Sequence, residues 1–230
     1  KIKMNKIKNM LLAVIAITSL STAAFAGSIG IGVTGSYAAI AGEGKEADKT
    51  ATSDASVRDA NASNNATVGS IFVEYSFDRF NGLTFGYDSI PGSADVNSKT
   101  LSRTDSGSGD ADATNDDRAR TAQATIENIH TIYVELPLGS SGLYLKGGQT
   151  SMDVNTKEST NSNYGNTSVD GTQWGIGVKR DIGTNLYYKV EGTKTDFDKI
   201  KLNDAQSDKG SKIEADLDVT KVTFALAYKF

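Results

Sequence analysis

From residue 27 onward, large apolar side chains recur at every second position. The closing segment Val222-Thr-Phe224-Ala-Leu226-Ala-Tyr228-Lys-Phe230 places Thr223, Ala225, Ala227 and Lys229 between its bulky residues. Period-two alternation over nine residues predicts a strand with one oily and one polar face. The same pattern predicts a first strand over about 28–40, with Ile29, Ile31, Val33, Tyr37 and Ala39 opposite Gly30, Gly32, Thr34 and Ser36. A second, about 68–78, sets Ile71, Val73, Tyr75 and Phe77 against Ser70, Glu74 and Ser76. The third, about 83–90, sets Leu83, Phe85 and Tyr87 against Thr84, Gly86 and Asp88. The fourth, about 128–138, has Ile132, Val134 and Leu136 opposite Thr131, Tyr133 and Glu135. The fifth, about 143–150, has Leu143 and Leu145 opposite Tyr144, Lys146 and Gly148. The sixth, about 171–180, pairs Trp174, Ile176 and Val178 against Gln173, Gly175, Gly177 and Lys179. The seventh, about 186–197, pairs Leu186, Tyr188 and Val190 against Tyr187, Lys189, Glu191 and Thr193, and the terminal segment is the eighth. Leu217 and Val219 fall out of phase with Val222 onward; a bulge near Thr220 or a strand extension beyond the apolar zone accounts for them.

The connections alternate in length. Short turns follow the even strands at Asp78-Arg-Phe-Asn-Gly82, Pro137-Leu-Gly-Ser-Ser-Gly142 and Asp181-Ile-Gly-Thr-Asn185, and Asn-Gly is the strongest hairpin dipeptide. Long polar segments follow the odd strands, over roughly 41–67, 91–127, 151–170 and 198–215. An even strand count, with short turns at one rim and long loops at the other, is the layout of single-chain outer-membrane barrels. A soluble all-β protein, either a lipocalin-like barrel or a sandwich, alternates too. The second face separates the readings, because it carries Glu74, Asp88, Glu135, Lys146, Lys179, Lys189 and Glu191. Pointing outward they make a soluble protein; pointing inward they put the apolar face in lipid. The unbroken apolar set of the last strand favours lipid.

The N-terminal end matches export. Lys1, Lys3, Lys6 and Lys8 precede the eleven-residue run Met10–Leu20, and Ala24-Phe-Ala26 gives an A-x-A site, which together read as a secretory signal peptide over 1–26. The run is too short to span a membrane as a helix. The outer-membrane barrel domain is then 27–230. Removing the four leader lysines from 24 basic residues leaves 20 against 28 acids, a net charge of −8. That balance argues against nucleic acid. Zero cysteines exclude disulfides, thiol chemistry and cysteine-bound zinc.

Candidate chemistry is sparse. Gly30-Ile-Gly32-Val-Thr-Gly35 matches G-x-G-x-x-G but lies inside a predicted strand, where the dinucleotide fingerprint needs a strand–turn–helix. His130 is the only histidine, and no catalytic residue, cofactor or metal site is expected. The acidic stretch 105–117 lacks the ligand order of a calcium loop. Arg118 and Arg120 beside it are candidates for lipopolysaccharide phosphates. An eight-stranded lumen is about wide enough for side chains to fill. The inward charges, with Lys221 as a further member, are therefore expected to pair into a plug. A water-lined conduit is the alternative, because inward glycines leave room.

In signal peptide, strand rhythm and C-terminal Phe230 with Tyr228 two residues earlier, the chain resembles the small outer-membrane barrels grouped with the OmpA transmembrane domain, OmpX and opacity-type surface proteins. The resemblance implies an eight-stranded antiparallel up-and-down transmembrane β-barrel with short periplasmic turns and long extracellular loops. It implies that Tyr228 and Phe230 form the assembly signal read by the barrel-assembly machinery. Aromatic girdles are expected from Tyr75, Phe77 and Tyr188 at the periplasmic rim and Tyr37, Tyr87 and Trp174 at the outer one. Lipid A deacylases resemble this chain in a lipid-facing His, but Ile132 stands where they carry a Ser. The expectation is a monomeric, non-enzymatic barrel whose partners are outer-membrane lipid and lipopolysaccharide. A narrow channel for small solutes is the alternative. No peptidoglycan-binding domain is expected after the eighth strand.

Overall fold

A computed structural model describes residues 27–48, 57–103, 118–158, 165–203 and 211–230. The segment 1–26 read as a signal peptide and the acidic stretch 105–117 lie outside the described residues, as do the side chains of Arg118 and Arg120. The strands are β1 (Gly27–Asp48), β2 (Val57–Phe77), β3 (Leu83–Arg103), β4 (Arg118–Pro137), β5 (Leu143–Glu158), β6 (Asn166–Ile182), β7 (Leu186–Phe197), β8 (Ile200–Asn203) and β9 (Ser211–Lys229). Consecutive strands pair antiparallel, and β9 pairs back onto β1. β7 and β8 occupy the same edge of β9, from Leu186↔Tyr228 to Asp196↔Asp218 and then from Ile200↔Ala215 to Asn203↔Lys212. The two are one interrupted stave, so the cylinder closes with eight. Its seam includes a hydrogen bond of 2.9 Å donated by the Phe230 amide to the Ile29 carbonyl.

The three short turns use the geometry that their residues favour. Asn81 and Gly82 sit at φ 54° and 82°, and the Gly82 amide donates to the Phe77 carbonyl at 3.0 Å. Gly139 and Gly142 provide positive φ after Pro137, and Gly183 does so between β6 and β7; each left-handed position suits glycine or asparagine.

β9 shows which face is which. Val222, Phe224 and Leu226 are 60%, 56% and 42% exposed, whereas Thr223, Ala225 and Ala227 between them are 3%, 1% and 3% exposed. Ile31, Val33, Ile71, Ile132, Leu145, Trp174, Ile176 and Val190 are likewise exposed. Glu74, Glu135, Lys189 and Glu191 are buried. A fold with apolar groups outside and ionised ones inside is stable only where the outer solvent is hydrocarbon.

The strands run well beyond the predicted boundaries, which corrects the reading of 41–67, 91–127, 151–170 and 198–215 as wholly loop. The reason is a polarity crossover partway up the wall. On β5 the outward residues change from Leu143 and Leu145 to Gln149, Ser151 and Asp153, while inward Lys146 and Thr150 give way to Met152 and Val154. On β9 outward Phe224 and Val222 give way to Thr220, Asp218 and Asp216. Inward Thr223 and Lys221 give way to Val219 and Leu217. Pairing between β1 and β9 continues without a shift through this zone, so Leu217 and Val219 mark an extension of the strand and not a bulge. Met152, Val154 and Val169 are buried there against Ile126, Ile129, Phe197, Ile200 and Leu217. Above the crossover the barrel is thus an ordinary water-facing cylinder with an apolar inside.

Three register shifts interrupt the β3–β4 and β4–β5 ladders, one of them between Val96 and Lys99. The other two fall between Ile90 and Ser93, where Pro91 has no amide to donate and Gly92 has φ 93°, and between Glu127 and His130, where Asn128 has φ 56°. Among the described residues, β2 and β3 pair from Ile71↔Ser89 to Phe77↔Leu83.

Candidate functional site

The lumen gathers the charges. Lys179 and Lys189 are direct cross-strand partners on β6 and β7, a like-charge juxtaposition that is destabilising unless an anion lies between. Glu74, reaching in from β2, supplies it. Its Oε1 accepts from Lys179 Nζ at 2.5 Å and its Oε2 from Lys189 Nζ at 2.8 Å. Lys189 also reaches Glu135 Oε1 at 2.7 Å and Glu191 Oε1 at 3.4 Å. Lys146 Nζ completes the set at 2.9 Å from Glu191 Oε2. Three carboxylates and three ammonium groups from five strands therefore lock together across the lumen.

Three tyrosines saturate what the lysines leave. Tyr187 and Tyr133 donate to Glu74 Oε1 and Oε2 at 2.8 and 3.1 Å, and Tyr144 donates to Glu191 Oε1 at 2.6 Å. Their rings also face the cations. Lys146 Nζ lies 3.9 Å from the Tyr133 centroid, Lys179 Nζ 4.3 Å from Tyr187, and Lys189 Nζ 4.6 Å from Phe72. Such contacts add attraction in a dry site. Ionised groups stay buried only when paired and hydrogen-bonded on this scale.

Sequence reasoning put Tyr133, Tyr144 and Tyr187 on the polar face but did not read their role. The available signal was a glycine across the ladder from each of two: Gly86↔Tyr133 and Gly177↔Tyr144. A Cβ at Gly86 would overlap the Tyr133 ring, and one at Gly177 the Tyr144 ring. These inward glycines are the floors on which the tyrosines lie.

Asp88 sits one layer outward from the plug, accepting from Ser70 at 2.6 Å. Around it runs a belt of hydroxyls. Thr34 meets Ser70, Ser36 meets Thr223, Thr131 meets Thr150, and Gln173 donates to Thr195. On the short-turn side of the plug an open vestibule of about 260 Å³ ends on Glu135, Tyr144 and Lys179. On the other side a cavity of only about 10 Å³ remains. The charged layer fills the bore between them.

The other sequence-derived residues fall as follows. Tyr37 and Trp174 face outward. Tyr188 stacks on Phe224 with centroids 6.2 Å apart, Phe77 meets Phe80 and Phe85 edge-on, and Tyr228 meets Phe230 edge-on at 4.8 Å. Tyr87 is tilted over His130 at 6.1 Å. Tyr75 departs from the expected girdle. It has outward parity but is buried, because Phe77 packs edge-on at 4.7 Å and the tyrosine hydroxyl lies over the bare Cα of Gly27. His130 donates from Nδ1 to the carbonyl of Asn128 at 3.0 Å. Its cross-strand neighbours are Ser89 and Ser151, yet among the described residues no hydrogen bond joins His130 to a serine. The G-x-G-x-x-G stretch lies within β1, with Gly30 and Gly32 turned inward. Beyond the crossover, Lys194 bridges Asp196 at 2.8 Å and Asp218 at 3.7 Å. The hydrogen bond to Lys194 holds the Asp196 carboxyl below its ordinary value and raises that of the lysine.

The family profile agrees with this geometry. The profile of the outer membrane protein beta-barrel domain family matches residues 11–230. Among solved structures, the outer membrane protein OprG from Pseudomonas aeruginosa is similar at 12% identity with a TM-score of 0.53, over 90% of this chain and 97% of that one. The attachment invasion locus protein Ail of Yersinia pestis, solved with the heparin analogue sucrose octasulfate, shows 11% identity and a TM-score of 0.37, over 89% of this chain and 97% of Ail. The outer membrane protease OmpT from Escherichia coli shows 14% identity and a TM-score of 0.42, over 91% and 99%. No curated protein matches the chain.

Proposed function

The chain belongs to the outer membrane protein β-barrel domain family, and on that premise we propose that it is a non-enzymatic outer-membrane barrel with a sealed lumen. Its polar strands above the crossover contact the surroundings or support the envelope. The observation that carries the sealed lumen is the Lys189 ammonium, held by Glu74, Glu135 and Glu191 in the middle of the bore. An ion entering from the vestibule meets a charge-balanced layer whose members already satisfy one another, so passage requires breaking several charge-assisted contacts at once. The proposed partners are lipid and lipopolysaccharide around the apolar belt, and the assembly machinery at Tyr228 and Phe230. Export with leader cleavage near Ala26 is part of the same proposal.

Purified barrel reconstituted in planar lipid bilayers is expected to show no steady conductance. Reproducible single-channel steps would overturn the sealed-lumen reading. They would favour the narrow-channel reading, which the open vestibule of about 260 Å³ supports.

A further inference from the structure

Among the described residues, Lys221 and Asp88 are the two lumen charges without a direct counter-ion. Lys221 makes no hydrogen bond or ion pair among the described residues, although its side chain lines the cavity of about 10 Å³ on the outer side of the plug. Asp88 lines the same cavity, and its one hydrogen bond, from Ser70, occupies only Oδ2. Directly across the ladder from Lys221 stands Thr193. Its Oγ1 is the one buried side-chain polar atom without a partner among the described residues. Lys221 Nζ and Asp88 Oδ1 thus line one cavity without hydrogen-bond partners among the described residues, and a polar group left so away from bulk water costs free energy.

What fills the space is set by charge and size. The inward acids Glu74, Asp88, Glu135 and Glu191 are matched one for one by Lys146, Lys179, Lys189 and Lys221, so the layer has no net charge for an ion to neutralise. A cavity of about 10 Å³ is close to the smallest that holds one water and too small for a larger molecule. Such a water needs two to four polar partners, and Lys221 Nζ, Asp88 Oδ1 and the hydroxyl layer offer donor and acceptor alike. We infer that this cavity binds a single long-lived water that bridges Lys221 to Asp88 and completes the outer face of the plug. The inference rests on the sealed-lumen reading, because a conducting bore would exchange its water freely.

Water–protein cross-relaxation NMR on the whole isotope-labelled barrel in lipid nanodiscs tests it. Slowly exchanging water contacts are expected at the Lys221 side chain and the methyl group of Thr223, both of which line the cavity. They should be lost in Lys221→Met, which keeps the length of the side chain, and kept in Lys194→Met, whose side chain faces outward beyond the crossover. Retained heat-modifiable gel mobility shows that each variant folds. Absent contacts in the wild type together with a non-conducting barrel would overturn this inference alone, as would contacts unchanged in Lys221→Met. Fast-exchanging water at both Lys221 and Glu74 would overturn the sealed lumen as well.

Discussion

Lys189→Met lowers the unfolding free energy of the barrel by about 3–5 kcal/mol, the cost expected when one partner of a buried charge network is removed. The size follows from what remains. Glu135 loses the lysine that its carboxylate contacts, and Glu74 and Glu191 each lose one of two. Methionine restores the volume but donates nothing, so the loss belongs to uncompensated carboxylates and not to a cavity. Urea unfolding in lipid vesicles measures it, with Trp174, the single tryptophan, as a lipid-facing reporter. A companion Glu135→Gln in the same background is expected to recover part of the loss, because it removes one orphaned charge. An unchanged midpoint in Lys189→Met would mean that the ammonium is not holding the acids.

Ile176→Arg costs about 2–4 kcal/mol, the penalty for a cation on the lipid face near mid-depth. Ile176 lies on β6 between Trp174 and Val178 and is 51% exposed. In a water-facing strand such a substitution would change stability by only about 0.5 kcal/mol. Asp170→Arg on the same strand and the same face, above the crossover, provides that contrast within one molecule. Unfolding midpoints of the two variants in vesicles check the pair, and equal small shifts would mean that β6 does not contact hydrocarbon at Ile176.

The eight staves and their two faces were legible in the sequence because hydrocarbon constrains every second residue over each crossing. Ile71, Val73, Phe224 and Leu226 have no alternative environment in which to be outward. The strand ends were not legible. Beyond the crossover, outward positions such as Asp153 and Asp218 are polar and inward ones such as Met152 and Leu217 are apolar, so the alternation changes sign while the backbone ladder continues. A period-two reading treats that inversion as a break. Leu217 and Val219 carried the signal, but nothing in one strand distinguishes a slipped phase from a changed solvent.

Parity assigned the inward charges to one face, yet it could not say which would meet. Tyr187 and Glu74 are 113 residues apart, and Tyr144 and Glu191 are 47 apart; their contacts depend on which staves oppose one another across the lumen. Tyr75 illustrates the converse limit. Its parity is outward, but its burial depends on Phe77 beside it and on the missing side chain of Gly27. Local neighbours of that kind follow from register, which alternation alone does not fix.

Spin-label scanning of β9 from Asp216 to Tyr228 tests most directly that the oily side of the wall faces acyl chains and the ionised side faces the axis. The chain has no cysteine to remove first. Labels at Val222, Phe224 and Leu226 should collide freely with oxygen and not with a water-soluble nickel complex, and labels at Asp216 and Asp218 should do the reverse. Thr223 and Ala225 should be shielded from both. Nickel access at Phe224 matching that at Asp218, or oxygen access peaking at Thr223 and Ala225, would contradict this orientation.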